Sequence, residues 1–290
     1  MKLAFIIPTF NRSKFLLNLL SQINLLEKIS GVDIVVIVIN DGSTDDTELM
    51  IKNTFPGTIL ITGSGNWWWT KCMNAGFIKA MELEQDCVLV MNDDVELKAD
   101  YLKILLKDYK ELPEKSILGS ASVSYKAPHR IESAGTGTFK KWKLKFVPYF
   151  KNFEVIREDF RGIHKTWTLS GRGTLIPVCV FKLIGFYDER LPQYGSDDEF
   201  CIRANMKQLP VYVSWNARVY NHTNLTSPGS VIKKDGIFVL LKSFFNRHSS
   251  NSLQKNAYLY WKYGFKCLTP VYMGWCFLGT LKAYYFNYRK

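Results

Sequence analysis

Six consecutive β-branched residues, Ile34-Val35-Val36-Ile37-Val38-Ile39, constrain this chain more than any other feature. A run that short and that apolar reads as a strand buried on both faces. It ends in Asn40-Asp41-Gly42-Ser43-Thr44-Asp45-Asp46, after which Thr47-Glu48-Leu49-Met50-Ile51 begins a helix. The amino terminus repeats the order: Leu3-Ala4-Phe5-Ile6-Ile7 runs into Pro8-Thr9-Phe10-Asn11-Arg12, and a helical pattern covers residues 13–26. Cys87-Val88-Leu89-Val90-Met91 is a third strand, ending in Asn92-Asp93-Asp94. Repeated strand, loop and helix units predict an α/β chain whose loops meet at the carboxyl ends of parallel strands, where ligands gather.

The loops carry the chemistry. Asp41, with its neighbouring turn amides, can grip the base and ribose of a nucleotide; the plainer reading is an Asx-turn in which Asp45 caps the next helix. The adjacent carboxylates of Asp93 and Asp94 repel each other unless a positive charge sits between them. A divalent cation, Mg2+ or Mn2+, prefers oxygen ligands and completes its shell with substrate phosphates. The alternative is that these acids only cap a helix over residues 97–106. Between the motifs, Trp67-Trp68-Trp69 cannot all face one core, so at least one ring is expected at the cleft, against the alternative of two core rings and a surface plug. Lys71 is read either as a diphosphate contact or as a solvated cation.

At 290 residues the chain has room for one large domain or a domain with an appendage, and a net charge of +12 suits an anionic partner. The six cysteines lack Cys-x-x-Cys spacing, and several fall within apolar runs, which points to reduced core residues in a cytosolic protein. Leu3 to Ile7 is too short for a signal peptide, and the sequons at Asn221 and Asn224 are read as chance. No recognition helix or ribonucleoprotein motif supports nucleic-acid binding.

Further along, Trp167-Thr168-Leu169-Ser170-Gly171-Arg172-Gly173 precedes Gly185-Phe186-Tyr187-Asp188-Glu189 and then Ser196-Asp197-Asp198-Glu199-Phe200-Cys201-Ile202-Arg203. With the opening Pro-Thr-Phe-Asn-Arg and Asn-Asp-Gly-Ser-Thr-Asp-Asp-Thr, this order resembles the inverting nucleotide-sugar glycosyltransferases of family 2, which have the GT-A fold, over roughly residues 1–225. The resemblance implies that Pro8, Thr9, Asn11, Arg12, Asp41, Gly65, Asn66, Asn74 and Asp93 bind the nucleotide sugar. It makes Asn92 to Asp94 a variant of the family's Asp-x-Asp motif, with Asp94 and His222 as metal ligands. Asp197 falls at the catalytic base, and Trp167, Gly171 and Asp198 on the acceptor side. Ser196 and Glu199 depart from the family's pattern, so Asp198 and Glu199 stay open as alternative bases. Arg172 and Arg203 are candidate diphosphate contacts, or Arg203 pairs with the nearby acids.

From Val231 onward the chain is rich in Phe, Tyr, Trp and Lys. Such a tail either lies in a membrane interface or packs as a helical unit on the sheet. The expected organisation is a GT-A domain over 1–225, with a nucleotide half to about 110 and an acceptor half after it, then a helical extension over 226–290. The expected activity is metal-dependent transfer of a hexose or deoxyhexose from a UDP- or dTDP-sugar to a saccharide, including a polyprenyl-diphosphate-linked one. That reading places the enzyme on the inner face of a bacterial plasma membrane, at an anionic surface, building lipopolysaccharide or capsule without nucleic acid. A nucleotide-sugar-binding protein without turnover is the alternative.

Overall fold

A computed structural model describes residues 1–222 and 228–288. The first half alternates as the apolar runs require: β1 (Lys2–Thr9), α1 (Ser13–Asn24), β2 (Asp33–Asn40), α2 (Thr47–Thr54), β3 (Ile59–Thr62), α3 (Trp68–Glu82) and β4 (Cys87–Val90). All four strands are parallel, with β1 between β2 and β4 and with β3 outside β2. Side chains of β1 alternate between two cores. Ala4 and Ile6 join Phe77 of α3 on one face, while Leu3, Phe5 and Ile7 join Leu16 and Leu19 of α1 on the other. Gly76 lets α3 lie against β1, because a Cβ there would sit 2.3 Å from Ile6 Cγ2.

The β-branched run is only half as covered as its composition suggests. Ile37, Val38 and Ile39 are fully buried, whereas Ile34 is 43% exposed. The reason is pairing: β3 meets β2 only from Ile37 onward, so residues 33–36 form an open edge.

The second half adds β5 (Val95–Glu96), α4 (Tyr101–Lys110), β6 (Ile117–Ser124), β7 (Arg130–Ser133), the hairpin β8 (Thr136–Lys140) and β9 (Lys145–Pro148), β10 (Glu154–Val155), β11 (Ile163–Lys165), β12 (Thr174–Pro177), α5 (Val178–Ile184), α6 (Ser196–Met206) and β13 (Val211–Asn221). Strand β12 inserts antiparallel between β4 and β6, giving the order β10-β7-β6-β12-β4-β1-β2-β3, and β13 runs parallel to β6. The helix expected over 97–106 starts later, at Tyr101, because Val95 and Glu96 first pair with the end of β13. The register of β13 breaks between Ser214 and Arg218. Buried Asp108 answers the loosened polar groups, accepting from Ser214 Oγ at 2.5 Å and Asn216 Nδ2 at 3.0 Å.

Three helices close the chain: α7 (Pro228–Phe245), broken at Gly236 with φ +80°, α8 (Leu253–Tyr263) and α9 (Thr269–Tyr288). They pack together through ring contacts such as Tyr260 on Tyr272 at 4.1 Å and Phe244 on Phe277 at 4.7 Å. Helix α8 also holds the sheet domain. Lys262 Nζ reaches Glu199 at 2.8 Å and Asp188 at 3.1 Å, and Tyr260 Oη donates to the Trp142 carbonyl at 2.8 Å. The outer surface keeps large apolar groups in solvent, with Phe238 and Phe245 each 77% exposed. No helix among the described residues is long and apolar enough to cross a membrane. The expected boundary at 225 and 226, and the sequon at Asn224, lie outside the described residues. All six cysteines are unpaired; Cys72, Cys87 and Cys201 are buried as expected, while Cys179 and Cys267 are exposed.

Candidate active site

The carboxyl ends of β1, β2 and β4 open onto a cavity of about 280 Å³. Pro8, Thr9, Arg12, Asp41, Gly65 and Asp93 line it, together with Trp68, Trp69 and Gln193. Asp41 is buried and organises the wall. Its Oδ1 accepts from the Gly65 N–H at 2.9 Å, and its Oδ2 accepts from the Trp67 and Trp68 N–H groups at 2.9 and 3.0 Å. These amides belong to the start of α3, which has no side-chain cap of its own, so a carboxylate from a different loop satisfies them. Trp68 is held at φ +61°, a sparsely populated conformation for a bulky residue. Asp45 performs the plainer task foreseen for it: its Oδ1 accepts from the Thr47 N–H at 3.1 Å, and its Oδ2 from Ser13 N–H at 3.1 Å.

Across the cavity, Arg12 supplies the positive charge that the paired acids need. Its guanidinium lies 3.0 Å from Asp93 Oδ1 and 3.3 Å from Asp94 Oδ2, and Thr9 Oγ1 donates to Asp93 Oδ2 at 2.8 Å. Burial pushes the Asp93 carboxyl up to about 6, against the opposing pull of Arg12. Two oxygens of this loop, Asn92 Oδ1 and Asp94 Oδ1, are buried without a hydrogen-bond partner. Unsatisfied hard oxygens suit Mg2+ or Mn2+, so the residues present fit a divalent cation. Among the described residues no group of three or more His, Cys, Asp and Glu side chains is arranged for a metal, which leaves most of such an ion's shell to other ligands.

A second acidic centre stands at the start of α6. Asp197 Oδ2 accepts from the Gly171 N–H at 3.2 Å, and its Oδ1 from the Asp198 N–H at 3.0 Å. Burial raises the Asp197 carboxyl despite these donors and Arg172. Burial and the neighbouring Asp197 push Asp198 up to about 7, with Lys255 of α8 opposing. Asp197 is not part of the first cavity's wall; a chain of contacts joins it there. A Cβ on Gly171 would meet the Trp69 ring at 2.2 Å, and the Trp69 N–H donates to Gln193 Oε1 at 3.1 Å. Glu199 is fully buried and accepts from Arg203 Nη2 at 2.8 Å, Lys262 Nζ at 2.8 Å and Tyr263 Oη at 2.5 Å. Despite its burial, these donors hold its carboxyl below the ordinary range.

Several expected contacts are engaged elsewhere. Asn74 joins α3 to the segment before α6, donating to the Tyr187 carbonyl at 3.0 Å and accepting from the Tyr187 N–H at 3.1 Å. Asn11 ties two loops, its Oδ1 accepting from the Thr44 N–H at 2.7 Å. Asn66 Oδ1 accepts from Trp68 Nε1 at 3.0 Å, and Asn66 borders a different cavity. Trp167 packs on Phe139 at 5.1 Å, against the β8–β9 hairpin. His222 meets the acidic loop through its backbone N–H, which donates to the Asp94 carbonyl at 3.2 Å, while its Nε2 pairs with Glu96 at 2.8 Å. Arg203 pairs with Glu199, the second of its two readings. Gln193 and Lys255 are not foreseeable from the sequence, because a lone Gln in a loop and a Lys on a distant helix carry no local pattern.

A sequence profile described as Glycosyl transferase family 2 matches residues 4–169, a segment that ends before Asp197. Among curated proteins no sequence matches significantly. Among solved structures, residues 1–349 of TarS from S. aureus share 17% identity, with a TM-score of 0.53 over 86% of this chain and 70% of that one. GalNAc-T7 with UDP, GalNAc and Mn2+ gives 12% identity and a TM-score of 0.58 over 76% of this chain and 44% of that one. The mannosyltransferase PcManGT from Pyrobaculum calidifontis, with GDP-Man and Mn2+, gives 14% and 0.57 over 79% and 59%. At these identities the likeness is one of fold.

Proposed function

The chain belongs to glycosyl transferase family 2 and has the GT-A fold, and from that premise we propose that it is an inverting enzyme that moves a hexose or deoxyhexose from a UDP- or dTDP-sugar to a saccharide hydroxyl. The observation that carries this reading is the cavity where three strand ends meet, with Asp41, Arg12 and Asp93 in its wall and the unsatisfied Asn92 and Asp94 oxygens in the same loop. Structural neighbours holding UDP or GDP-Man with Mn2+ support a nucleotide sugar there. A divalent ion held by Asp94 and the donor's phosphates would act as a Lewis acid on the departing diphosphate.

Asp197 is the base in this reading. It takes the acceptor hydroxyl's proton as that oxygen attacks the anomeric carbon opposite the leaving nucleoside diphosphate. A carboxylate pair raised toward neutrality is suited to that task, and Glu199 is not, being locked by three donors. Asp198 and Gly171 hold the acceptor side. Residues 1–225 then form the transferase domain, and the extension after them meets an anionic membrane through exposed Phe238, Phe245, Trp261 and Trp275 interleaved with lysines. A lipid-linked acceptor in bacterial surface-polysaccharide assembly suits that placement.

The test is transfer from a panel of nucleotide sugars with Mn2+, comparing wild type with Asp197→Asn. Turnover is expected to fall about 10²- to 10⁴-fold in the variant with donor binding retained. Donor binding without turnover on any acceptor would favour the binding protein instead.

A further inference from the structure

Trp68 borders a second cavity, of about 270 Å³, far above the roughly 10–15 Å³ that one water requires. Its wall is assembled from three distant parts of the chain: Lys71 on the first turn of α3, Glu189 and Pro192 before α6, and Arg247 and His248 between α7 and α8. The His248 ring stacks on Trp68, with centroids 4.0 Å apart and planes 11° from parallel. Among the described residues neither Lys71 nor Arg247 has a carboxylate within ion-pair distance, although the chain forms such pairs elsewhere. Glu189, the acid in this wall, accepts a hydrogen bond from Asn74 Nδ2 at 3.2 Å. The hollow is therefore lined by two cations against one acid, a net positive wall of the kind that recognises phosphate, with one cation a planar guanidinium and the other a point charge that also lies 5.1 Å from the Trp67 ring.

Its position relates it to the transfer chemistry. Trp68 is common to both cavities, so a ligand seated in one touches the ring that bounds the other. Thr70, also in the wall, shares a hydrogen bond through Oγ1 with Ser196 Oγ at 2.8 Å, and Ser196 immediately precedes Asp197. We propose that this second cavity is an anion subsite that holds a phosphate group of the acceptor, with Arg247 and Lys71 as its charge partners. The assignment of the anion to an acceptor rests on the transferase reading; the anion site itself does not.

The experiment is calorimetric titration of the full chain with inorganic pyrophosphate and with farnesyl diphosphate, first with UDP at saturation to fill the donor cavity and then without UDP. A saturable event in the presence of UDP is expected, weakened roughly tenfold by Arg247→Gln and further by Lys71→Gln, with UDP affinity unchanged in Arg247→Gln. Absence of a second event once UDP is bound, or equal affinity in wild type and the double variant, overturns the subsite. Tighter binding of farnesyl diphosphate than of pyrophosphate, with the same Arg247 dependence, assigns the group to a lipid carrier; equal or weaker binding assigns it to a phosphorylated glycan. Failure to bind UDP at all counts against the transferase reading alone, because titration without UDP still decides whether Arg247 governs an anion site.

Discussion

The proposed donor side and the proposed acceptor side of this molecule are built in opposite ways. On the donor side, Thr9, Arg12, Asp41, Asp93 and Asp94 all come from the first 94 residues, and they hold one another at the ends of three adjacent parallel strands. On the proposed acceptor side, Asp197 is held by Gly171 and by its own helix, but the two acids after it draw on α8: Lys262 and Tyr263 bind Glu199 beside Arg203, and Lys255 opposes the charge of Asp198. The difference teaches that the strand ends bring the charged wall of the first cavity together, while the charge state of the acids at α6 depends on docking of the terminal helices.

The sharpest way to break this comparison is Asp94→Ala. It should cut transfer by about 10²- to 10⁴-fold, the several kcal/mol associated with loss of a Lewis acid, and remove the Mn2+ dependence of UDP binding. Thermal melting should move little, since Arg12 keeps its bond to Asp93. Unchanged Mn2+ dependence would put the ion elsewhere. Next in size is Lys262→Met, which leaves buried Glu199 with Arg203 and Tyr263. Urea unfolding should show a loss of roughly 1–3 kcal/mol, and transfer should fall with UDP affinity intact. A matching loss of UDP affinity would erase the distinction between the two sides.

The smallest effect concerns protons. The Asp197–Asp198 pair has carboxyl groups raised by burial, Asp198 to about 7, so activity should climb as pH rises above the ordinary carboxylate range and the pair sheds its protons. Asp197→Asn removes the neighbouring negative charge that helps to raise Asp198, so the Asp198 carboxyl should release its proton at lower pH, as read by carbon NMR of the side-chain carboxyls. Stability has the corresponding sign. Because the folded carboxyls are raised, the folded state binds more protons between the ordinary range and about 7, and this contribution is full at low pH and lost as pH rises through that window. Glu199 and Asp188, both held below the ordinary range, act oppositely: their contribution is present above that range and is lost as pH falls through their lowered values. A release that stays near 7 in Asp197→Asn would show that the two acids do not interact.

Much of the donor side is legible in the sequence, because a short apolar run and the turn after it encode strand and loop without reference to the rest of the chain. What those loops bind internally is less legible. The partners of Asp41 are backbone amides 24 to 27 residues away, and those of Arg12 are acids 81 and 82 residues away, so only the folded crossing of β1, β2 and β4 reveals them. Asn74 illustrates the limit: its residue type suits a ligand, yet the neighbouring Tyr187 backbone consumes its amide. The division of labour among Asp197, Asp198 and Glu199 is invisible locally, because donors on a helix more than fifty residues later decide which acid is locked.

Arg12 lying across Asp93 and Asp94 has a consequence for how this protein tolerates chelation. Small metal-nucleated domains unfold when their ion is withdrawn, since nothing else neutralises the clustered ligands. Here a covalently attached guanidinium already fulfils that duty, so the polypeptide can mature before any cation reaches it, and an ion bound later would add only the stability that its own affinity supplies.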